Sequence, residues 1–161
     1  MRSRVYVETS IISYLTARPS RDIVLAGRQE VTREWWEHRR KKYDLVVSQV
    51  VHAEIAAGDT KAASARRAMI ADLPVLDTSD DAIDLAAELV KRGVLPERAA
   101  ADALHLAVSA TSGVAILLTW NCRHLANPRT MERAYDVLRS MGLRPPMICT
   151  PDELTGDESH E

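Results

Sequence analysis

Five short runs of mostly aliphatic and β-branched residues recur along the chain, each separated from the next by a longer, helix-like segment. The strongest is the wholly apolar VAILLT at 114–119, and weaker ones lie at 4–8, 45–48, 74–76 and 147–150. Short apolar strands alternating with helices are typical of a parallel sheet that helices cover on both faces. The pattern therefore predicts a three-layer α/β/α domain with right-handed crossovers and a central, mostly parallel sheet of four to five strands.

Four glycines indicate where helices end. Each follows a run rich in Ala or Leu, and glycine readily adopts the left-handed conformation that often terminates a helix. The glycines are Gly58, Gly93, Gly113 and Gly142. They predict helices near 49–57, 79–92, 97–112 and 129–141. A long helix is also expected at about 20–42, and another at 60–72.

Length and composition agree with a single domain. The 161 residues, 46% of them hydrophobic, are enough to bury a core without disulfides, and the two cysteines make no disulfide framework. We place the domain at 1–155 and expect the polar tail at 156–161 to be disordered. No apolar run approaches the ~20 residues needed to span a bilayer, and no leader is recognisable, so a cytoplasmic protein is expected.

Polar side chains follow two of the predicted strands at the points where these strands end. Glu8, Thr9 and Ser10 follow the first strand, and Thr119 and Asn121 lie at the end of the fourth. Sites in open α/β sheets lie beyond the carboxyl ends of the strands, which makes these side chains candidates. The alternatives are that Glu8 assists a helix cap and that Asn121 occupies an ordinary turn.

Two predicted helices carry a carboxylate where an apolar residue would be expected. Glu54 has Val50, Val51 and Ala57 as its helical neighbours, which predicts a face that is largely buried. Asp102 lies three residues before His105 in the apolar segment AAADALHLA, so the two share a face. A salt-bridged glutamate and a hydrogen-bonded Asp–His pair in the core are the structural alternatives.

Together, these residues supply oxygen ligands from two strand ends and two helices. Mg²⁺ and Mn²⁺ are hard cations that prefer oxygen donors, and Mg²⁺ usually retains water that substrate phosphates replace. Such a set is suited to metal-assisted hydrolysis of a phosphodiester.

Four segments together resemble the PIN-domain family. They are VETS at 7–10, VHAEIAAG at 51–58, AADALHLA at 100–107 and LLTWNCRHL at 117–125, and their order and spacing match the family up to about Leu154. The overall pattern is similar to the VapC-type toxins of bacterial toxin–antitoxin pairs. The resemblance implies a metal-dependent endoribonuclease that acts on RNA, is inhibited by a small antitoxin protein and forms a homodimer.

The same resemblance implies which residues form the site. Glu8, Glu54, Asp102 and Asn121 match the four positions that bind Mg²⁺ or Mn²⁺ and support catalysis. Ser10 and Thr119 match hydroxyl positions that orient a ligand or substrate, and we expect His105 to support the site from behind the ligands. Glu8 and Asn121 stand where the family commonly has Asp. The side chain of Glu8 reaches ~1.5 Å further than Asp would, which is large beside Mg²⁺–oxygen distances of ~2.1 Å. Asn121 offers a carbonyl oxygen but no charge. We therefore expect weaker metal binding than at a site with four Asp or Glu ligands.

These two departures keep a second hypothesis open, a non-catalytic PIN-like module that binds RNA or a protein partner. Cleavage of structured DNA, as by flap endonucleases of related fold, is disfavoured by the missing helical arch and the low basic content. The basic run at 38–42 is expected to end a helix rather than to bind nucleic acid. Cys122 and His124 are too few ligands for a zinc site.

Overall fold

The computed structural model describes residues 1–155, which form a five-stranded sheet flanked by helices. The strands are β1 (Arg4–Val7), β2 (Asp44–Ser48), β3 (Val75–Leu76), β4 (Ile116–Leu118) and β5 (Met147–Cys149), and every adjacent pair is parallel. Their order across the sheet is β3-β2-β1-β4-β5. The predicted α/β/α class is confirmed. The tail predicted at 156–161 lies outside the described residues.

Seven α-helices connect and cover the strands within residues 1–155. They are α1 (Thr9–Thr16), α2 (Ile23–Glu34), α3 (Gln49–Ile55), α4 (Thr60–Met69), α5 (Asp80–Lys91), α6 (Ala100–Thr111) and α7 (Pro128–Ser140). All four glycines expected at helix ends have φ between 65° and 83°, a region that residues with a Cβ rarely adopt. None of the described helices has both the length and the hydropathy needed to cross a bilayer.

The prediction of one continuous α-helix at about 20–42 is wrong. The segment starts as α2, widens into a π-helical turn at Trp35–Arg39 and ends in a 3₁₀ turn at Arg40–Lys42. Two adjacent tryptophans occupy the wider turn, and both are buried: Trp35 stacks on Tyr43, and Trp36 lies under the guanidinium of Arg40. The change of helical pitch lets both indole rings pack inward, which a regular α-helix does not readily do for neighbouring residues.

The strand order places a topological switch point between β1 and β4. The chain adds β2 and then β3 on one side of β1, and later β4 and β5 on the other side. Val7 pairs with Leu118, so β1 and β4 end at the same level of the sheet. Open α/β sheets bind ligands at such a point, beyond the carboxyl ends of the strands.

Candidate metal centre

Glu8 is the first residue after β1, and its side chain is fixed by three donors. Oε2 of Glu8 accepts hydrogen bonds from the backbone N–H of Ser10 at 3.1 Å, from the Ser10 hydroxyl, and from the Thr119 hydroxyl at 2.7 Å. Glu8 is thereby the N-cap of α1 and is 4% exposed. The extra methylene of glutamate, relative to aspartate, is used in this fold-back over the first helical turn. It leaves Oε1 turned toward His105, 3.8 Å from Nε2.

The Ser10 and Thr119 hydroxyls, which donate to Glu8, also join the ends of β1 and β4. The Ser10 hydroxyl accepts a hydrogen bond from the backbone N–H of Trp120 at 2.8 Å. The Thr119 hydroxyl accepts one from the backbone N–H of Asn121 at 2.9 Å. Each hydroxyl therefore donates to the Glu8 carboxylate and accepts from the loop after β4. Ser10 and Thr119 hold Glu8 in position across the switch point.

Glu54 enters the site from α3. Its Oε1 accepts a 2.7 Å hydrogen bond from the Thr9 hydroxyl and another from Nε2 of His105. Burial acts to raise the pKa of the Glu54 carboxyl, but the hydrogen bond and charge of His105, with the Thr9 hydrogen bond, lower it overall. The side chain is 35% exposed. The prediction that Glu54 lies on a largely buried face is therefore wrong. Glu54 lies at the margin of the core because α3 ends within one turn of it.

His105 is fully buried on α6 and links the site to the sheet. Its Nδ1 lies 2.6 Å from the Tyr6 hydroxyl, which is itself 2.6 Å from the Ser48 hydroxyl. Burial acts to lower the pKa of His105, but the hydrogen bond to Glu54 and the charges of the nearby carboxylates raise it overall. The hydrogen bonds of the His105 ring go to Glu54 and Tyr6.

Asp102 and Asn121 form a second part of the site. Burial raises the pKa of the Asp102 carboxyl, although a hydrogen bond with the Asn121 side chain opposes this. Oδ1 of Asn121 accepts a 3.0 Å hydrogen bond from the backbone N–H of His124. With its oxygen used in this turn, the Asn121 side chain directs its amide N–H toward Asp102.

The structure brings Glu8, Glu54 and His105 closest together. One ligand atom from each of these three side chains lies within 4.8 Å of the others. Asp102 lies beside this group, close enough for its charge to act on His105, and Asn121 contacts Asp102. The four positions expected from the sequence therefore surround one edge of the sheet, with His105 placed more centrally than expected.

Sequence reasoning missed two supporting residues, Tyr6 and Ser48. Tyr6 is the one polar-tipped side chain in the buried stretch Val5–Val7 of β1, and such a hydroxyl usually has a partner. Ser48 ends β2 and caps α3 through the backbone N–H of Val51. These two features were readable in the sequence as signals of a buried polar contact.

The basic run at 38–42 lies away from this centre. Arg40 and Lys41 line a cavity with Asp44 and Leu45 at the amino end of β2. The carboxylates lie beyond the carboxyl ends of the strands, at the opposite edge of the sheet. The run therefore does not contribute to the candidate site.

A family model described as PIN domain matches residues 5–126. The matched part includes Glu8, Glu54, Asp102 and Asn121. This chain belongs to the PIN domain family. The resemblance seen in the four sequence segments is confirmed, and the candidate centre of this PIN domain occupies the matched region. A search of curated proteins by sequence returned no match.

Solved structures share the fold of this PIN domain at low sequence identity. VapBC2 from Rickettsia felis, bound to a DNA fragment from its promoter, is 14% identical with a TM-score of 0.58, over 91% of this chain and 98% of that chain. VapC20 from Mycobacterium tuberculosis, a sarcin-ricin loop cleaving toxin, is 20% identical with a TM-score of 0.55, over 70% and 86%. VapBC-1 from nontypeable Haemophilus influenzae is 14% identical with a TM-score of 0.56, over 92% and 98%.

Proposed function

We propose that this PIN domain is a metal-dependent endoribonuclease that hydrolyses RNA phosphodiester bonds as the toxin of a toxin–antitoxin pair. The observation that carries the proposal is the convergence of Glu8, Glu54 and His105 at the switch point of a PIN domain, with Asp102 close enough to act electrostatically on Glu54 and His105. Hydrogen bonds from Ser10 and Thr119 to Glu8, and from Thr9 and His105 to Glu54, hold these carboxylates close together at one edge of the sheet. A metal-dependent hydrolytic centre would use these carboxylates to hold its ion.

The donor set suits Mg²⁺ or Mn²⁺. Oε1 of Glu8, the Glu54 carboxylate and the Asp102 carboxylate supply the hard oxygen ligands that such ions prefer. A bound divalent ion supplies polarisation of the phosphoryl group and a water of lowered pKa. Ser10 and Thr119 keep Glu8 oriented, and Asn121 orients Asp102 through its amide rather than through its oxygen.

The partners follow from the same proposal. Two of the similar structures are VapBC assemblies and one is a toxin that cleaves the sarcin-ricin loop. These neighbours support an RNA substrate and a small antitoxin protein for this chain. We also expect a homodimer in the cytoplasm, as the sequence resemblance implies.

The test is cleavage of a mixed pool of structured RNAs by purified protein shown to be free of antitoxin. Reactions contain Mn²⁺, Mg²⁺ or EDTA. Asp102→Asn removes a site carboxylate, while Asp136→Asn makes the same change at an exposed position on α7. Cutting that needs metal, is lost in Asp102→Asn and persists in Asp136→Asn supports the proposal. Folded wild-type protein that cuts RNA with neither metal would overturn it.

A second function, a catalytically weak or inactive module that binds RNA or a protein, is favoured by one observation. The fourth position is the uncharged Asn121, whose oxygen already accepts a hydrogen bond from the backbone N–H of His124, so the centre has three carboxylates. The double variant Glu8→Asp with Asn121→Asp distinguishes the two functions. Nuclease activity that arises only in the double variant supports the binding module, whereas activity already present in the wild type excludes it.

A further inference from the structure

The His105 ring has the environment of a metal ligand. Its Nδ1 is held by the Tyr6 hydroxyl at 2.6 Å, and the Tyr6 hydroxyl is held in turn by Ser48. Metal-binding histidines commonly use one ring nitrogen in this way, because the contact fixes the ring and leaves the other nitrogen directed at the ion. In His105 the other nitrogen, Nε2, is directed at Glu54 and Glu8.

The carboxylate oxygens around Nε2 are arranged for a shared cation. Oε2 of Glu8 is occupied by Ser10 and Thr119, whereas Oε1 is 3.8 Å from Nε2 at a side chain only 6% exposed. Two ligand atoms bound to one ion at about 2.1 Å each can lie up to about 4.2 Å apart. The separation of Oε1 and Nε2 is within that span. Nε2 of His105 and Oε1 of Glu54 are in hydrogen-bond contact, and they need to separate only slightly for both to bind one ion.

We infer that Nε2 of His105 binds the divalent ion directly, alongside Oε1 of Glu8 and the Glu54 carboxylate, so that the centre is a mixed carboxylate–imidazole site. The inference rests on the proposed function, because it names a ligand of the same centre. Binding would use the tautomer in which Nε2 carries no proton and Nδ1 donates to the Tyr6 hydroxyl.

A nitrogen ligand changes which metal the centre prefers. Mg²⁺ and Mn²⁺ both prefer oxygen donors, but Mn²⁺, as a first-row transition-metal ion, tolerates an imidazole ligand better than Mg²⁺ does. We expect calorimetry to give tighter binding of Mn²⁺ than of Mg²⁺. His105→Gln should weaken Mn²⁺ binding by at least about tenfold, the size of effect seen when even groups that only orient a ligand are removed. The same variant should weaken Mg²⁺ binding less, so the ratio of the Mn²⁺ affinity to the Mg²⁺ affinity should fall.

The direct test is pulsed electron paramagnetic resonance of the Mn²⁺ complex, which detects nitrogen bound to the ion. The wild type should show ¹⁴N coupling, and growth with ¹⁵N-histidine should convert it to ¹⁵N coupling. His105→Gln should abolish it. A double variant, His52→Gln with His124→Gln, provides the matched control, since His52 lies near Glu54 in sequence and His124 acts electrostatically on Asp102. The coupling should persist there.

Each outcome bears on the inference. Mn²⁺ bound without nitrogen coupling, or coupling lost in the double variant, overturns it, and so does a wild type that binds no Mn²⁺. If His105→Gln fails to fold, a labelled variant in which His38, His52, His124 and His160 are all replaced by Gln leaves His105 as the one histidine of the sequence, and its coupling decides the question. Nitrogen coupling in a protein that cuts no RNA keeps the inference and removes the proposed nuclease. RNA cutting by a protein whose Mn²⁺ shows no nitrogen coupling keeps the proposed nuclease and overturns the inference.

Discussion

The Thr119 hydroxyl donates a 2.7 Å hydrogen bond to Oε2 of Glu8, across the switch point between β4 and β1. Both residues are buried, and Thr119 is fully so. The contact connects the loop after β4 to the N-terminus of α1, because Glu8 also caps that helix. The Thr119 hydroxyl therefore contributes, together with the Ser10 hydroxyl, both to positioning the first carboxylate and to joining the sheet edge.

Thr119→Val should destabilise the protein and weaken its metal binding. The substitution keeps the side-chain shape but leaves the backbone N–H of Asn121 without its partner and removes one of the three donors to Oε2 of Glu8, at a cost of about 1–3 kcal/mol. Metal affinity should fall by about 10–100-fold, as for other groups that orient a ligand. Denaturant unfolding and calorimetry measure the two effects. Thr111→Val, at the end of α6, is the control and should change stability by no more than about 0.5 kcal/mol. Equal effects of the two substitutions would contradict the account.

Asn121→Asp should make the metal-free protein less stable and raise its affinity for Mg²⁺. The amide that hydrogen-bonds Asp102 becomes a second carboxylate, at a cost of about 1–3 kcal/mol without metal, and the added charge attracts the cation. Melting with and without Mg²⁺, together with calorimetric titration, measures both changes. Asn127→Asp makes the same change at the N-cap of α7, where Asp is equally suitable, and should alter neither quantity. Equal Mg²⁺ affinity of wild type and Asn121→Asp would refute the expectation.

Arg66→Met should disturb the site from a distance. The Arg66 guanidinium donates to the carbonyl of Ile55 at 2.8 and 3.0 Å and to that of Ala57 at 2.7 Å, which are unpaired carbonyls at the end of α3. Because α3 has only seven residues and carries Glu54, we expect a loss of about 1–3 kcal/mol and weaker metal binding. Arg67→Met, at the exposed neighbouring position, is the control. If both variants bind Mn²⁺ as the wild type does, Arg66 has no part in placing Glu54.

Cys149 should resist alkylation in the folded protein. Burial raises the pKa of the Cys149 thiol to about 12, so only about one molecule in 10⁴ carries the thiolate at pH 8. Cys122 is partly exposed in the loop after β4. Mass spectrometry after treatment with iodoacetamide should find label on Cys122 but not on Cys149, and on both in urea. Rapid native labelling of Cys149 would show that β5 is not packed as described.

Local pattern was sufficient to predict most of the fold. The run at 114–119 and the left-handed glycines, such as Gly93 and Gly113, indicated strands and helix ends that the structure confirms. The π-helical turn at Trp35–Arg39 was not predictable, because it depends on where two indole rings find room in the core. The short helix α1 was also missed, since its β-branched residues Ile11 and Ile12 favour a strand until they are packed.

The site was predictable as a set of residues but not as a set of contacts. Helical spacing placed Asp102 and His105 on one face, and it suggested that they pair. In the structure, His105 reaches Glu54 on α3 and Tyr6 on β1 instead. Those contacts depend on how α3 and α6 pack, which no local pattern encodes. The helix cap that Glu8 makes at Ser10 was among the alternatives that the sequence offered, but the Thr119 hydroxyl that also donates to Glu8 comes from the loop after β4 and was not expected as its partner.

The most direct test of the account is a crystal structure of the Mn²⁺-soaked protein, with the ion located by its anomalous scattering. The account predicts one strong peak at the carboxyl edge of the sheet, between Oε1 of Glu8 and the Glu54 carboxylate, with Nε2 of His105 within bonding distance. Wild-type crystals soaked in Mn²⁺ that show no peak there, or a peak only at surface carboxylates, would contradict the claim that these residues form a metal centre.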